Sequence, residues 1–209
     1  MRRLPVYLLL DSSGSMRGEP IESVRSGIQM LAGSLRRDPR ALESVHLCIM
    51  TFDIDARVVT PLTSLDAFRE PDIEVPGSGP THLGLALERL CALVEREVQA
   101  GTDVRKGDWR PMLFVMTDGA VSDLMAYEEI IPRVRSCGFA RIVACAAGPK
   151  ARKEQLELLT SDVVTLETMD GASFAALFAW VSEAIAAGSG DTGADTLPPP
   201  PDFGGSPVL

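Results

Sequence analysis

One short stretch of the chain carries three oxygen-bearing side chains that could hold a metal ion. These are the carboxylate of Asp11 and the hydroxyls of Ser13 and Ser15, within Asp11-Ser12-Ser13-Gly14-Ser15. They fall at alternating positions, so all three can face one small volume. Carboxylate and hydroxyl oxygens are hard ligands, and no thiolate or imidazole stands among them. Such a set suits Mg²⁺, Mn²⁺ or Ca²⁺ better than zinc or copper. The same residue types also suit the capping of a loop and of the helix after it, where Ser and Asp bond nearby backbone groups.

The elements around this stretch decide what it can reach. Leu4-Pro5-Val6-Tyr7-Leu8-Leu9-Leu10 is an apolar run that reads as a buried strand. The polar residues therefore begin where a central strand ends, which is where ligands bind in an open α/β sheet. A helix opens at Gly18-Glu19-Pro20, with Ile21, Val24, Ile28, Leu31 and Leu35 on one face, and Asp38-Pro39 is expected to end it. Ser44 to Phe52 reads as a second core strand, with Arg57 to Thr60 as a short strand paired to it. Residues 61–80 form a long connection rich in Pro, Gly, Ser and Asp, a length that is usually functional or partly structured. A second helix carries Leu83, Leu87, Leu90 and Val94 on one face and ends near Ala100-Gly101.

Further on, Met112 to Thr117 is a strand, and Ser122-Asp123 offers an N-cap for a helix reaching Cys137. Pro132 inside that span predicts a kink or two short helical pieces. Strands follow at Arg141 to Ala147 and Val163 to Leu166, with helices at Ala151 to Leu159 and Ser173 to Ala187. Strands and helices thus alternate without an internal repeat, which implies a mostly parallel sheet with helices on both faces. From Gly188 the composition turns to Gly, Ser and Pro, so residues 1–187 are read as one domain and 188–209 as a disordered tail.

Asp-x-Ser-x-Ser at the end of a first apolar strand resembles the metal-ion-dependent adhesion site (MIDAS) of the von Willebrand factor A (VWA) family. Two further segments match that family's pattern in order. Gly77-Ser78-Gly79-Pro80-Thr81 precedes an amphipathic helix, and Met112-Leu113-Phe114-Val115-Met116-Thr117-Asp118-Gly119 is an apolar strand ending in an acid. The resemblance spans roughly residues 4–187. It implies a Rossmann-like, doubly wound α/β fold in which the strand after Asp53-Ile54-Asp55 lies antiparallel at the sheet edge. It also implies a divalent-cation site, most simply Mg²⁺, formed by Asp11, Ser13, Ser15, Thr81 and Asp118, with one position open for an acidic residue of a protein partner. Each piece alone could be ordinary loop chemistry, Asp118-Gly119 included; five matches in order favour the metal site.

Within the family, the opening Leu-Pro-Val-Tyr-Leu-Leu-Leu-Asp-Ser-Ser-Gly-Ser-Met, Gly-Glu-Pro-Ile-Glu, Pro-Met-Leu-Phe-Val-Met-Thr-Asp-Gly and the proline-rich tail resemble bacterial tellurium-resistance TerY-type proteins. That resemblance implies an adaptor in a tellurite or general stress-response system, beside a Ser/Thr protein kinase and a protein phosphatase. Two alternatives are an adaptor of a chelatase-like AAA-type ATPase and a metal-dependent hydrolase.

Several classes are disfavoured. A net charge of −9 argues against non-specific nucleic-acid binding. No apolar run reads as long enough for a bilayer span. Met1-Arg2-Arg3 before apolar residues superficially resembles a secretion signal, but the run stops at Asp11 with no small-residue cleavage site, so a cytoplasmic protein is expected. Cys48, Cys91, Cys137 and Cys145 form no Cys-x-x-Cys pair and read as reduced, mostly buried thiols.

Catalysis is not expected. A haloacid-dehalogenase-like phosphatase needs a second aspartate two residues after the first, and that position is Ser13, which relays no proton at neutral pH. The only histidines are His46, in a strand, and His82, beside Thr81. No Gly-x-Ser-x-Gly elbow and no Gly-x-x-x-x-Gly-Lys loop accompany them.

Overall fold

A computed structural model describes residues 2–76, 79–102, 104 and 106–189. The strands are β1 (Leu4–Asp11), β2 (Val45–Phe52), β3 (Ala56–Ser64), β4 (Met112–Thr117), β5 (Arg141–Ala147) and β6 (Val163–Leu166). The helices are α1 (Glu19–Leu35), α2 (Pro39–Ser44), α3 (Leu83–Glu97), α4 (Leu124–Ser136), α5 (Lys153–Glu157) and α6 (Gly171–Gly188). A single 3₁₀ turn, Gly14–Met16, follows β1.

The six strands form one sheet in the order β3-β2-β1-β4-β5-β6. All neighbours run parallel except β2 and β3, so β3 is the antiparallel edge. Because alternate strand residues point to opposite faces, β1 feeds two cores. Val6, Leu8 and Leu10 pack with α1 and α6, while Tyr7 and Leu9 pack with α3 and α4. Every residue of β1 is buried, which explains an apolar run without polar alternation.

Several expectations are corrected. α1 ends at Leu35, and Asp38-Pro39 opens α2 instead of only closing α1: the Asp38 carboxylate accepts from the backbone N–H of Arg40 (2.8 Å) and Ala41 (3.2 Å). β3 is longer than residues 57–60. Its register shifts near Pro61, between the pairs Leu47–Thr63 and Ile49–Thr60, and an edge strand tolerates proline at such an irregularity. The connection beyond it is anchored by Leu65, Phe68 and Ile73, buried in the α1 core. α3 stops at Glu97, short of Ala100-Gly101, and α5 is shorter than residues 151–159.

α4 runs through Pro132 as one helix rather than two pieces. Pro132 is exposed, while Tyr127, Ile131 and Val134 on either side of it are buried, so packing holds the helix across the lost hydrogen bond. α6 is long and apolar enough, by length and composition alone, to cross a membrane, unlike the reading from sequence. Its Phe174, Leu177, Phe178, Val181 and Ile185 are core residues in this fold. α6 also includes Gly188; the proposed tail from 190 onward lies outside the described residues. All four cysteines are free, three of them buried.

Candidate metal centre

The centre lies at the carboxyl ends of β1 and β4, the neighbouring strands between which the strand order reverses. Asp11 is the last residue of β1 and is fully buried. Its Oδ1 accepts from the Ser13 N–H at 2.8 Å and its Oδ2 from the Thr117 hydroxyl at 2.6 Å. Ser12 is tied to β2 instead: its N–H (2.8 Å) and its hydroxyl (3.2 Å) both donate to the Phe52 carbonyl. That anchor leaves Ser13 and Ser15 on the β4 side. Their hydroxyl oxygens are 3.2 Å apart, and Ser15 Oγ donates to Asp118 Oδ1 at 2.8 Å. Buried Met16 pins the turn that carries them.

Thr81 arrives from the far end of the long connection and is buried. Its N–H donates to Ser122 Oγ at 3.0 Å, and the Ser122 N–H donates to the Thr81 carbonyl at 2.9 Å. A methyl group added at Gly119 would come within 3.1 Å of Thr81 Oγ1, so this hydroxyl lies against the residue after Asp118. α3 then starts without a cap of its own. The carboxylate of Asp123 accepts from the N–H groups of Gly84 (3.1 Å) and Leu85 (2.9 Å). Asp123 stands at the N-cap position of α4 but makes no side-chain cap there; it caps α3 instead. The structure thus brings together all five residues expected at the site, and the loop after β4 holds Thr81 in place.

The electrostatics of this centre differ from those elsewhere in the molecule. Burial pushes the Asp11 carboxyl up to about 6; the hydrogen bonds from Thr117 and Ser13 oppose this, and the nearby Asp118 charge adds to it. Asp118 is also raised by burial, against the Ser15 hydrogen bond and the field of Lys150. Other buried acids are paired with arginine: Asp53 with Arg57 at 3.1 Å and Asp108 with Arg3 at 2.6 Å. Among the described residues, neither Asp11 nor Asp118 takes part in an ion pair. Two buried carboxylates beside three hydroxyls, with no protein cation in contact, is a donor set that fits a hard divalent cation. Asp11, Ser13, Ser15, Thr81 and Asp118 are the residues that would hold one.

Thr117, Ser122 and Asp123 escaped the sequence reading as site residues. Thr117 had one signal, a hydroxyl ending an otherwise apolar strand. Asp123 had none, because its partners lie 38 and 39 residues away. His82 does not join the centre: its Nδ1 is 3.2 Å from the Ile54 carbonyl oxygen, and its N–H donates to the Asp53 carbonyl at 2.9 Å. His46 lies in β2, with Nδ1 3.1 Å from the Ser44 carbonyl oxygen.

Comparison with known proteins agrees with this architecture. Residues 6–176 match the family model described as von Willebrand factor type A domain. No curated protein sequence matches. Proximal thread matrix protein 1 from the mussel byssus superposes with a TM-score of 0.67 at 16% identity, over 87% of this chain and 48% of its own, in a structure described as having a zinc-occupied MIDAS motif. The ArnB paralog VWA2 from Sulfolobus acidocaldarius gives 0.62 at 14% identity, over 88% and 45%. A von Willebrand factor type A structure from Catenulispora acidiphila gives 0.64 at 15% identity, over 88% and 43%. The chain spans less than half the length of these structures' chains. With the family model covering most of its residues, the chain belongs to the von Willebrand factor type A domain family.

Proposed function

We propose that this domain is a metal-dependent protein-interaction module, in which Asp11, Ser13, Ser15, Thr81 and Asp118 hold a divalent cation, most simply Mg²⁺, that receives an acidic residue of a partner protein. The observation that carries this reading is the contact of Ser13 with Ser15 and of Ser15 with Asp118, joining segments 103 residues apart around two buried, unpaired carboxylates. When bound, the cation would supply the positive charge the centre lacks and an electrophilic position for a partner carboxylate. Asp11 and Thr117 order the loop, the hydroxyls of Ser13, Ser15 and Thr81 offer neutral ligands, and few direct anions leave the cation attractive to an acid. The zinc-occupied MIDAS described for the mussel protein supports a metal in this place, and the all-oxygen donor set favours Mg²⁺ as the ion we propose. The donor set supports recruitment as the proposed role, and His82 bonds the Ile54 carbonyl.

The cellular setting we infer is cytoplasmic, as an adaptor of a bacterial tellurite or stress-response system with a Ser/Thr kinase or a phosphatase as partner. Its support is the sequence resemblance alone. Calorimetric titration of chelator-stripped protein with Mg²⁺, Mn²⁺ and Ca²⁺ tests the metal reading. Saturable binding that is lost in Asp11→Ala and Asp118→Ala, with circular dichroism unchanged, is the expected result. Undiminished binding in both variants would refute the ligand assignment.

A further inference from the structure

A groove of about 600 Å³ lies between the end of α1, the start of α2 and the last turns of α6. Leu35, Pro39 and Ala186 line it with apolar surface, and Arg37, Arg40 and Glu183 line it with charge. It sits far from the metal centre. α6 ends at Gly188, beside Leu4 and Met112, which open β1 and β4, whereas the centre stands at the other ends of those strands. Arg37 and Arg40 are exposed and take part in no ion pair among the described residues. The acids of the groove do not engage them. Asp38 accepts from the backbone N–H groups of Arg40 and Ala41, and Glu183 forms no ion pair among the described residues.

The chain leaves the domain beside this groove. Ala186 is three residues before Ser189, about 4.5 Å along a helix. Residues 190–209 carry Asp191, Asp195 and Asp202 and neither Lys nor Arg, and Leu197 precedes the prolines 198–201. We propose that residues 190–201 fold back onto this groove, with Asp191 and Asp195 paired to Arg37 and Arg40, and Leu197 and Pro198 covering Leu35, Pro39 and Ala186. Reach does not limit this, because the stretch from Gly190 to Leu197 can span up to about 26 Å. The tether favours this occupant over a separate partner. A short linker holds the segment at an effective concentration in the millimolar range, so two exposed ion pairs and one apolar contact suffice to keep it in place. The segment then covers the pole of the domain away from the metal centre and leaves that centre open, so this inference stands apart from the metal reading.

Nuclear magnetic resonance on the full chain tests it. Nuclear Overhauser contacts between the Leu197 methyls and the Ala186 methyl are expected. They should be lost in an Arg37→Glu/Arg40→Glu variant and regained when Asp191→Arg/Asp195→Arg is added to it, with the same circular dichroism throughout. No such contacts in the wild-type chain, contacts that survive the double variant, or a charge swap that fails to restore them would overturn the proposal. Contacts that vanish on dilution, together with a dimer in sedimentation, would give the groove to a second copy of the chain and overturn it as well.

Discussion

Replacing Asp11 by Asn should make the metal-free protein more stable. Asp11 is fully buried, and burial raises its carboxyl from the ordinary 3.8 to about 6. A carboxyl raised on folding prefers its proton in the folded state. The stability it contributes is therefore complete below pH 3.8, declines as pH rises, and is gone above about 6. A shift of about two units at 1.4 kcal/mol each sets the loss at about 3 kcal/mol. Asparagine has no charge to bury and can keep both hydrogen bonds. Its Oδ1 accepts from the Ser13 N–H, and its Nδ2 donates to Thr117 Oγ1, whose proton can turn toward the Gly119 carbonyl 3.5 Å away. Urea denaturation in chelator across pH 4 to 8 reads the effect as variant minus wild type. That difference should grow between pH 4 and about 6.5, reach as much as about 3 kcal/mol, and then stay flat. At pH 8 the melting temperature should rise by roughly 6–12 °C. Mg²⁺ at a hundred times its Kd should restore about 2.7 kcal/mol to the wild type and nothing to Asp11→Asn. A variant less stable than wild type at pH 8 in chelator would show instead that the Asp11 carboxylate is a structural anchor whose charge the fold tolerates.

Four further substitutions probe how the centre is assembled and supported. Thr81→Ala should weaken Mg²⁺ binding by no more than about tenfold, because water can take the place of one neutral ligand, whereas Asp118→Ala should abolish saturable binding in the same calorimetric titration. Asp123→Ala should cost about 1–2 kcal/mol in urea denaturation by uncapping α3, and should weaken Mg²⁺ binding through the displaced Thr81 loop although Asp123 is no ligand. Gly84→Ala should destabilise by about 1–3 kcal/mol, since its new methyl would lie 2.4 Å from the Tyr127 backbone nitrogen where α3 and α4 meet; unchanged stability would mean that the two helices can part freely.

The central strands β1, β2, β4 and β5 were legible because they are buried on both faces. β4, β5 and β6 fall on the residues their apolar runs mark, and β1 and β2 differ from theirs by one residue. Element ends were less legible where a residue has two possible uses. Asp38-Pro39 stops one helix and starts the next, Pro61 is accepted in an edge strand, and Pro132 is carried by packing on either side. In the centre, Asp11, Ser13 and Ser15 could be read from local spacing, but Thr81 and Asp118 required a family pattern. The supports could not be read at all. Ser122 bonds Thr81 across 41 residues, and Asp123 caps a helix two elements earlier in the chain. Only the folded arrangement of β4 beside β1 puts those partners within reach.

A divalent cation held among Asp11, Ser13, Ser15, Thr81 and Asp118 would be directly visible in a crystal. Anomalous diffraction from crystals of the domain grown with Mn²⁺ would locate the ion directly. A peak is expected within bonding distance of the Ser13 and Ser15 hydroxyls, beside Thr81 and Asp118, and absent in Asp11→Ala crystals. A peak on another part of the surface, or none at a Mn²⁺ concentration that saturates the protein in solution, would contradict that site.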